Sequence, residues 1–434
     1  MTGTSALALS TIINNLMRIV STVCLTRLLS PDVYGVTGMI MSVFYMINMV
    51  SDIGLQAYVV RHERSNEPDF LSSVYTIHAI RGVILASIAA LLAWPLSLAL
   101  AKPEIALPLM VSSLVFVIDG QVSLHQFRAL RDGRVPRVTL IDIAMTLCQI
   151  VSAIVLAYFL RNVWAIVGSM IIASLGRLWA GYALFPGSRH RFLRDREIAA
   201  DLWRFSRVIA VSSTLTLILT QVDKLAMARI LSLGEFGTYV IASSLAGAPQ
   251  VFAFNYSSSI VYPTVAAAWR DGRSVTAAYY GCWGRFFYLY AFGGGALIGV
   301  AGLLIRILYD PRYLPAALYL SILAVSTSLI MVNRSMESVQ IATGHQRVTI
   351  EFNIVRLIWL ITGGMLALAT SSAMILVVTI GLIEVPVYAF SLFRMARDHQ
   401  VRWLREASFA ATLTTGFAVG ITTTLAARML FPSL

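Results

Sequence analysis

Residues 26–36 read TRLLSPDVYGV, and 202 residues later, at 228–238, the chain reads ARILSLGEFGT. In register, Arg27 meets Arg229, Leu29 meets Leu231, Ser30 meets Ser232 and Gly35 meets Gly237, while Leu28/Ile230 and Tyr34/Phe236 are near matches. Both copies sit between long apolar segments, so the 434-residue chain reads as one membrane bundle written twice. Ser30 and Pro31 stop a helix and Gly35 lets the chain reverse before the next, which makes the motif a turn between two spans.

Composition carries the same message along the whole length. Hydrophobic residues make up 58% and charged residues only 12%, with a mean hydropathy of +0.77; soluble domains carry about a quarter charged residues. A spanning helix needs roughly 20 apolar residues. Such stretches fall at 6–29, 36–60, 73–101, 105–127, 138–160 and 163–185, then at 205–231, 236–263, 276–308, 313–343, 349–369 and 372–395, with a thirteenth at 407–430. Turn signals such as Lys102-Pro103, Arg131-Asp132-Gly133, Asp310-Pro311 and Gly344 separate them. The formal net charge of +12 is almost all arginine, Lys102 and Lys224 being the only lysines. The arginines crowd the loops after even-numbered segments, which places those loops and the N-terminus in the cytoplasm and argues topology, not nucleic acid. MTGTSALALS lacks the basic start of a cleaved signal, so the first helix is expected to stay.

The expected fold is therefore an all-α polytopic membrane protein with two parallel-repeat six-helix lobes. The lobes span 1–186 and 204–397, joined by a cytoplasmic basic linker at 187–203 and followed by an extra transmembrane helix within 398–434. A second trace of duplication supports parallel repeats: Arg137-Val138-Thr139 returns as Arg347-Val348-Thr349, each entering a helix from the same side. The linker is amphipathic and lies on the inner surface, where arginines meet anionic headgroups of membrane lipids.

Polar residues inside the spans form stripes. Thr11, Asn14, Arg18 and Ser21 align on one face of the first helix, and Ser213, Thr216, Thr220 and Asp223 repeat that face in the seventh at the same offset. The second helix adds Tyr45, Asn48 and Asp52, and Gln250 in the eighth stands opposite Asn48. A lipid-facing Arg18 costs at least about 2.5–3.5 kcal/mol, so these faces line a wet cavity or pack as interhelical hydrogen-bond glue. Arg81 and Arg285 are repeat mates, each six residues after a tyrosine; they either face the cavity or snorkel to a helix end. Arg334 and Glu337 stand one turn apart, close enough to neutralise each other. An arginine-lined cavity suits a polyanionic headgroup, since guanidinium pairs bidentately with phosphate oxygens. Asp52 and Asp223 read either as proton or sodium sites or as partners of the arginines.

Neither lysine sits in a Gly-x-x-x-x-Gly-Lys loop, so the chain cannot hydrolyse ATP through one. No His-Glu-x-x-His, Cys-x-x-Cys, Gly-x-Ser-x-Gly or Asp-x-Asp string occurs, and the three cysteines lie singly in apolar segments. No catalytic residue, metal or cofactor is expected, and an enzyme is disfavoured.

TRLLSPDVYGV, SDIGLQAYVVR from Ser51, QVDKLAMARILSLGEFGTYVIASSL from Gln221 and YPTVAAAWRDG from Tyr262 resemble the Wzx-like polysaccharide flippases of the multidrug/oligosaccharidyl-lipid/polysaccharide (MOP) exporter superfamily. The resemblance implies a bacterial inner-membrane protein with two six-helix bundles around a central cavity. It implies a secondary-active flippase that turns undecaprenyl-diphosphate-linked oligosaccharide from the cytoplasmic to the periplasmic leaflet for exopolysaccharide, capsule or O-antigen synthesis, with a polysaccharide polymerase complex as a candidate partner. Carried over by position, the substrate-binding cations are Arg18 and Lys224, with Arg81, Arg285, Arg334 and Arg356 as further candidates. The polar cavity stripe is Asn14, Asn48, Thr216, Thr220 and Gln250, with ion coupling at Asp52 and Asp223. Longer family chains end with a fourteenth helix, whereas this one stops at FPSL after about thirteen, so the type is shorter or the C-terminus incomplete. A drug exporter of the same superfamily and a non-transporting scaffold are the alternatives.

Overall fold

A computed structural model of the chain describes residues 3–51, 54–185, 187, 190–370 and 372–430, with backbone alone for 3–12, 15, 16, 208–220, 222 and 223. Among the described residues the structure is helical throughout, with no strand. It divides into two compact units, Met1–Gly237 and Thr238–Leu434.

The first unit holds α1 (Gly3–Leu28), α2 (Pro31–Val50), α3 (Leu55–Arg61), α4 (Pro68–Ala99), α5 (Ala106–Ser112), α6 (Leu114–Gly120), α7 (His125–Arg131), α8 (Val135–Leu160), α9 (Trp164–Ala183), α10 (Arg196–Ile230) and the start of α11 (Leu233–Tyr256). The second holds the rest of α11, then α12 (Tyr262–Arg270), α13 (Val275–Gly281), α14 (Arg285–Leu308), α15 (Ala316–Ala342), α16 (Val348–Thr370), α17 (Ala373–Gly381), α18 (Glu384–Asp398) and α19 (Trp403–Leu430). Ten of the described segments are long and apolar enough to cross a membrane. With α1, α10 and α11 they occupy the thirteen predicted positions. The chain is a multi-pass all-α membrane protein.

Several predicted spans are interrupted or displaced. The second opens at Pro31, where the missing proline N–H costs nothing, and stops at Val50. Gly54 then takes a left-handed conformation (φ 61°) and starts the short α3. The ninth breaks at Cys282–Gly284, separating α13 from α14. The twelfth breaks at Leu382–Ile383, beside a tight crossing where a Cβ on Gly381 would lie 2.5 Å from the Ile322 carbonyl oxygen. The seventh begins earlier than predicted, because Asp195 caps it: Oδ1 accepts from the backbone N–H of Glu197 at 2.9 Å and of Ile198 at 3.2 Å.

Ser30 and Pro31 stand at the turn between α1 and α2 as predicted, but Gly35 has a different role from chain reversal. Gly35 lies inside α2 and is buried, and a Cβ there would run into the Leu233 carbonyl oxygen. Reciprocally, a Cβ on Gly237 would run into the Pro31 carbonyl oxygen. Leu233 is the repeat mate of Pro31, so the two copies of the motif meet each other across a local two-fold relation. Each glycine is required because a backbone passes where a side chain would stand.

In the second unit α19 packs along α14 through small residues on both helices. A Cβ on Gly299 would sit 2.7 Å from the Phe417 carbonyl oxygen, and one on Gly420 2.6 Å from that of Ala296. Thr424 Oγ1 donates to the Gly299 carbonyl at 3.0 Å. At the other end of α19, the buried Glu406 accepts from Tyr280 and Tyr388 hydroxyls, each at 2.7 Å, above an aromatic core in which Trp283 stacks on Phe287 at 4.3 Å. The last helix is thereby an integral wall of its unit.

Candidate functional site

In the first unit, Asn14 is half-buried with its Oδ1 buried and lacking a hydrogen-bond partner among the described residues, and Arg18, one turn on, is exposed. Asn48 on α2 is exposed and donates to the Phe44 carbonyl at 3.1 Å. Arg81 on α4 reaches across to the end of α2, donating from Nε to the Ser51 carbonyl at 2.9 Å and from Nη2 to Ser51 Oγ at 2.8 Å. It therefore secures the point where the second span breaks. Lys224 is half-buried, its Nζ donating to Gln221 Oε1 at 3.2 Å. Asp52 lies outside the described residues, as do the side chains of Thr216, Thr220 and Asp223.

The connection into α10 is clasped to the same unit. His190 stacks between Tyr75 (4.9 Å) and His125 (4.7 Å), and its Nε2 accepts from the Leu124 backbone N–H at 3.1 Å. Burial, and then the neighbouring His125, push its pKa down to about 4. Asp201 on α10 accepts from the Tyr58 hydroxyl at 2.9 Å and lies 3.7 Å from His62.

The second unit pairs two of its candidate cations with glutamates. Arg356 on α16 and Glu384 on α18, each 7% exposed, form a forked pair with Nε–Oε1 at 2.9 Å and Nη2–Oε2 at 3.2 Å. Asn333 on α15, fully buried, donates to Glu384 Oε2 at 2.7 Å and to its carbonyl at 3.0 Å. One residue along, Arg334 binds the buried Glu337 at 2.9 Å, as their spacing predicts. Two separate ion pairs thus neutralise Arg334 within α15 and Arg356 between α16 and α18. Arg285 stands apart, exposed at the start of α14 with its guanidinium 5.6 Å from the Phe286 ring centre. Gln250 is exposed on α11.

Arg334 and Glu337 open onto a cavity of about 300 Å³ whose opposite wall is Phe254, Ser258 and Tyr262. Within that wall the helix widens into a π-turn at Ser257–Val261, a local expansion common at functional sites. Ser257 Oγ lies 3.1 Å from Ser335 Oγ across the gap. The sequence pattern points to Arg334 and Glu337 but not to the π-turn, Asn333 or the Glu406 lock. The run Ser257-Ser258-Ser259 inside an apolar segment is the one local signal for the first; nothing local pairs Tyr280 with Glu406, 126 residues away.

Polar side chains and ion pairs are thus buried within a multi-pass helical membrane protein. A family model described as "Polysaccharide biosynthesis protein" matches residues 24–318, and the chain belongs to that family. It is 23% identical over 257 residues to the succinoglycan biosynthesis transport protein ExoT of Rhizobium meliloti, covering 59% of this chain and 51% of that protein. It is 22% identical over 281 residues to the lipopolysaccharide biosynthesis protein WzxC of Escherichia coli, covering 63% and 56%. The chain thus spans about half the length of these curated relatives that it matches. Among solved structures, the lipid II flippase MurJ in an inward closed conformation superposes with a TM-score of 0.70 at 10% identity, covering 99% of each chain. An inward-facing multidrug resistance MATE transporter of the MOP superfamily gives 0.63 at 14% identity, covering 100% of this chain and 99% of that one. The chain shares the fold of these two structures.

Proposed function

We propose that the chain is a secondary-active flippase that moves an undecaprenyl-diphosphate-linked oligosaccharide from the cytoplasmic to the periplasmic leaflet for surface polysaccharide synthesis. The family match, with relatives named for succinoglycan transport and lipopolysaccharide biosynthesis, carries the reading. The exposed Arg18 within a helix otherwise suited to a membrane supports a polyanionic cargo. In this reading the chain sits in the bacterial inner membrane with its N-terminus cytoplasmic. Lobes 1–186 and 204–397 rock about a central cavity while the lipid tail stays in the bilayer, and the linker 187–203 lies on the inner surface. Arg18 and Lys224, with Arg81 and Arg285, meet the diphosphate, and Asn14, Asn48, Thr216, Thr220 and Gln250 line the path. Moving about two negative charges outward across about 100 mV is downhill by roughly 4.6 kcal/mol. Proton or sodium counter-transport through Asp52 or Asp223 adds to that drive. The work is transport without catalysis, and a polysaccharide polymerase complex receives the product.

Deletion of the protein is expected to accumulate lipid-linked oligosaccharide on the cytoplasmic leaflet, and Arg18→Ala to abolish surface glycan while leaving the protein in the membrane. Normal glycan in the deletion strain together with new sensitivity to cationic drugs would replace this reading with drug export.

A further inference from the structure

Ion-paired arginines occur in both units, Arg177 with Asp119 at 3.5 Å in the first among them. Arg18 in the first is exposed. In the second, arginines of α15 and α16 are matched by glutamates, Arg334 by Glu337 and Arg356 by Glu384. The cavity beside Arg334 is therefore lined by one positive and one negative group that already satisfy each other at 2.9 Å. Its walls present no excess cation to a diphosphate.

What the cavity does present is a half-exposed guanidinium, a buried carboxylate, the hydroxyls of Ser258, Tyr262 and Ser338, and the exposed ring of Phe254. Arg334 is 41% exposed on its side chain against 6% for Glu337, so the guanidinium offers spare N–H donors towards the opening while Glu337 holds it in place. Mixed donors and acceptors beside an aromatic face match a sugar ring, whose hydroxyls both donate and accept and whose C–H face is apolar. The volume of about 300 Å³ is at the small end of ligand sites, roughly 300–1,000 Å³, and fits a short saccharide rather than a lipid tail.

We infer that this cavity between the π-turn at Ser257–Val261 and the Arg334–Glu337 pair is a saccharide subsite, taking one or two neutral sugar rings of the cargo rather than its diphosphate. The inference rests on the flippase reading above and assigns the glycan end of the cargo to the second unit.

The test uses the full chain in glycan-producing cells, with a photo-crosslinking benzoylphenylalanine placed in separate variants at Ser338, in the cavity, and at Thr22, one turn beyond Arg18. After illumination and purification, mild acid cleaves the sugar–diphosphate bond, and the mass left on the protein is read. At Ser338 the retained mass is expected to be glycan. Retention of phosphate or polyprenyl mass alone at Ser338, or capture at Thr22 with none at Ser338, overturns the subsite and leaves transport standing. No capture at either position, with no accumulation of lipid-linked oligosaccharide in the deletion strain, removes the transport reading and the subsite with it. A second arm fills the cavity with Ser258→Leu plus Ser338→Leu. Surface glycan per membrane-inserted protein is expected to fall about tenfold, the loss that follows when about 1.4 kcal/mol of cargo binding is removed. Unchanged glycan in that variant also overturns the subsite.

Discussion

Replacing Gly35 or Gly237 with alanine tests whether the two copies of the turn motif touch through bare backbone. Both glycines are buried in helices. On helix propensity alone, each change to alanine is favourable by about 1 kcal/mol. The added methyl, however, meets a backbone carbonyl oxygen, that of Leu233 for Gly35 and of Pro31 for Gly237. Neither is the free end of a side chain that can swing away, so the helices must separate at an overpacking cost of about 1–3 kcal/mol. Separation also loosens the reciprocal contact, and the net expectation is a loss of about 1–2 kcal/mol for each single change. One separation accommodates both methyls, so the double variant is expected to lose about 1 kcal/mol less than the sum of the singles. Among the described residues no atom outside its own stretch of α11 comes within 4 Å of the place a Cβ on Gly247 would take; it is the internal control, and Gly247→Ala is expected to stabilise. Thermal melts of purified protein in detergent, followed by loss of the monodisperse chromatographic peak, measure all four. Melting points for Gly35→Ala and Gly237→Ala above the parent, in line with Gly247→Ala, would refute the close approach.

Glu384→Gln leaves the Arg356 guanidinium buried without its counter-charge and is expected to cost about 3–5 kcal/mol, seen as loss of folded protein. Arg356→Met with Glu384→Leu is expected to recover much of that loss, and a Glu384→Gln protein as stable as the parent would remove the pair from the account of this unit. Gly420→Leu, which drives a side chain towards the Ala296 carbonyl oxygen, is expected to detach α19 from α14; protease accessibility of the C-terminal helix reads this out. For His190 the folded pKa of about 4 lies below the ordinary value of 6.5, so the neutral ring is the one the clasp favours. Its stabilisation is complete above about pH 6.5 and is lost as pH falls towards 4. The parent is therefore expected to lose more melting temperature than His190→Gln between pH 7 and pH 5, with tryptic cutting at Arg191 and Arg194 rising in parallel; equal slopes would exclude the clasp.

Sequence alone determined that this chain is a multi-pass α-helical membrane protein. Hydrocarbon thickness sets the length of an apolar run, unsatisfied backbone polar groups forbid anything but helices there, and both constraints are local to each segment. The spacing of Arg334 and Glu337 likewise disclosed their pairing, because one helical turn brings the residues together wherever the helix lies. Only the tertiary structure decided what depends on residues distant along the chain. It turned Gly35 from a reversal point into a contact with Leu233, joined Arg356 to Glu384 across 28 residues, and locked α19 to Tyr280 through Glu406. It also placed a π-turn opposite Arg334. Helix crossings are set by which side chains are small enough to let two backbones meet, and that complementarity belongs to pairs of surfaces, which a single segment does not reveal.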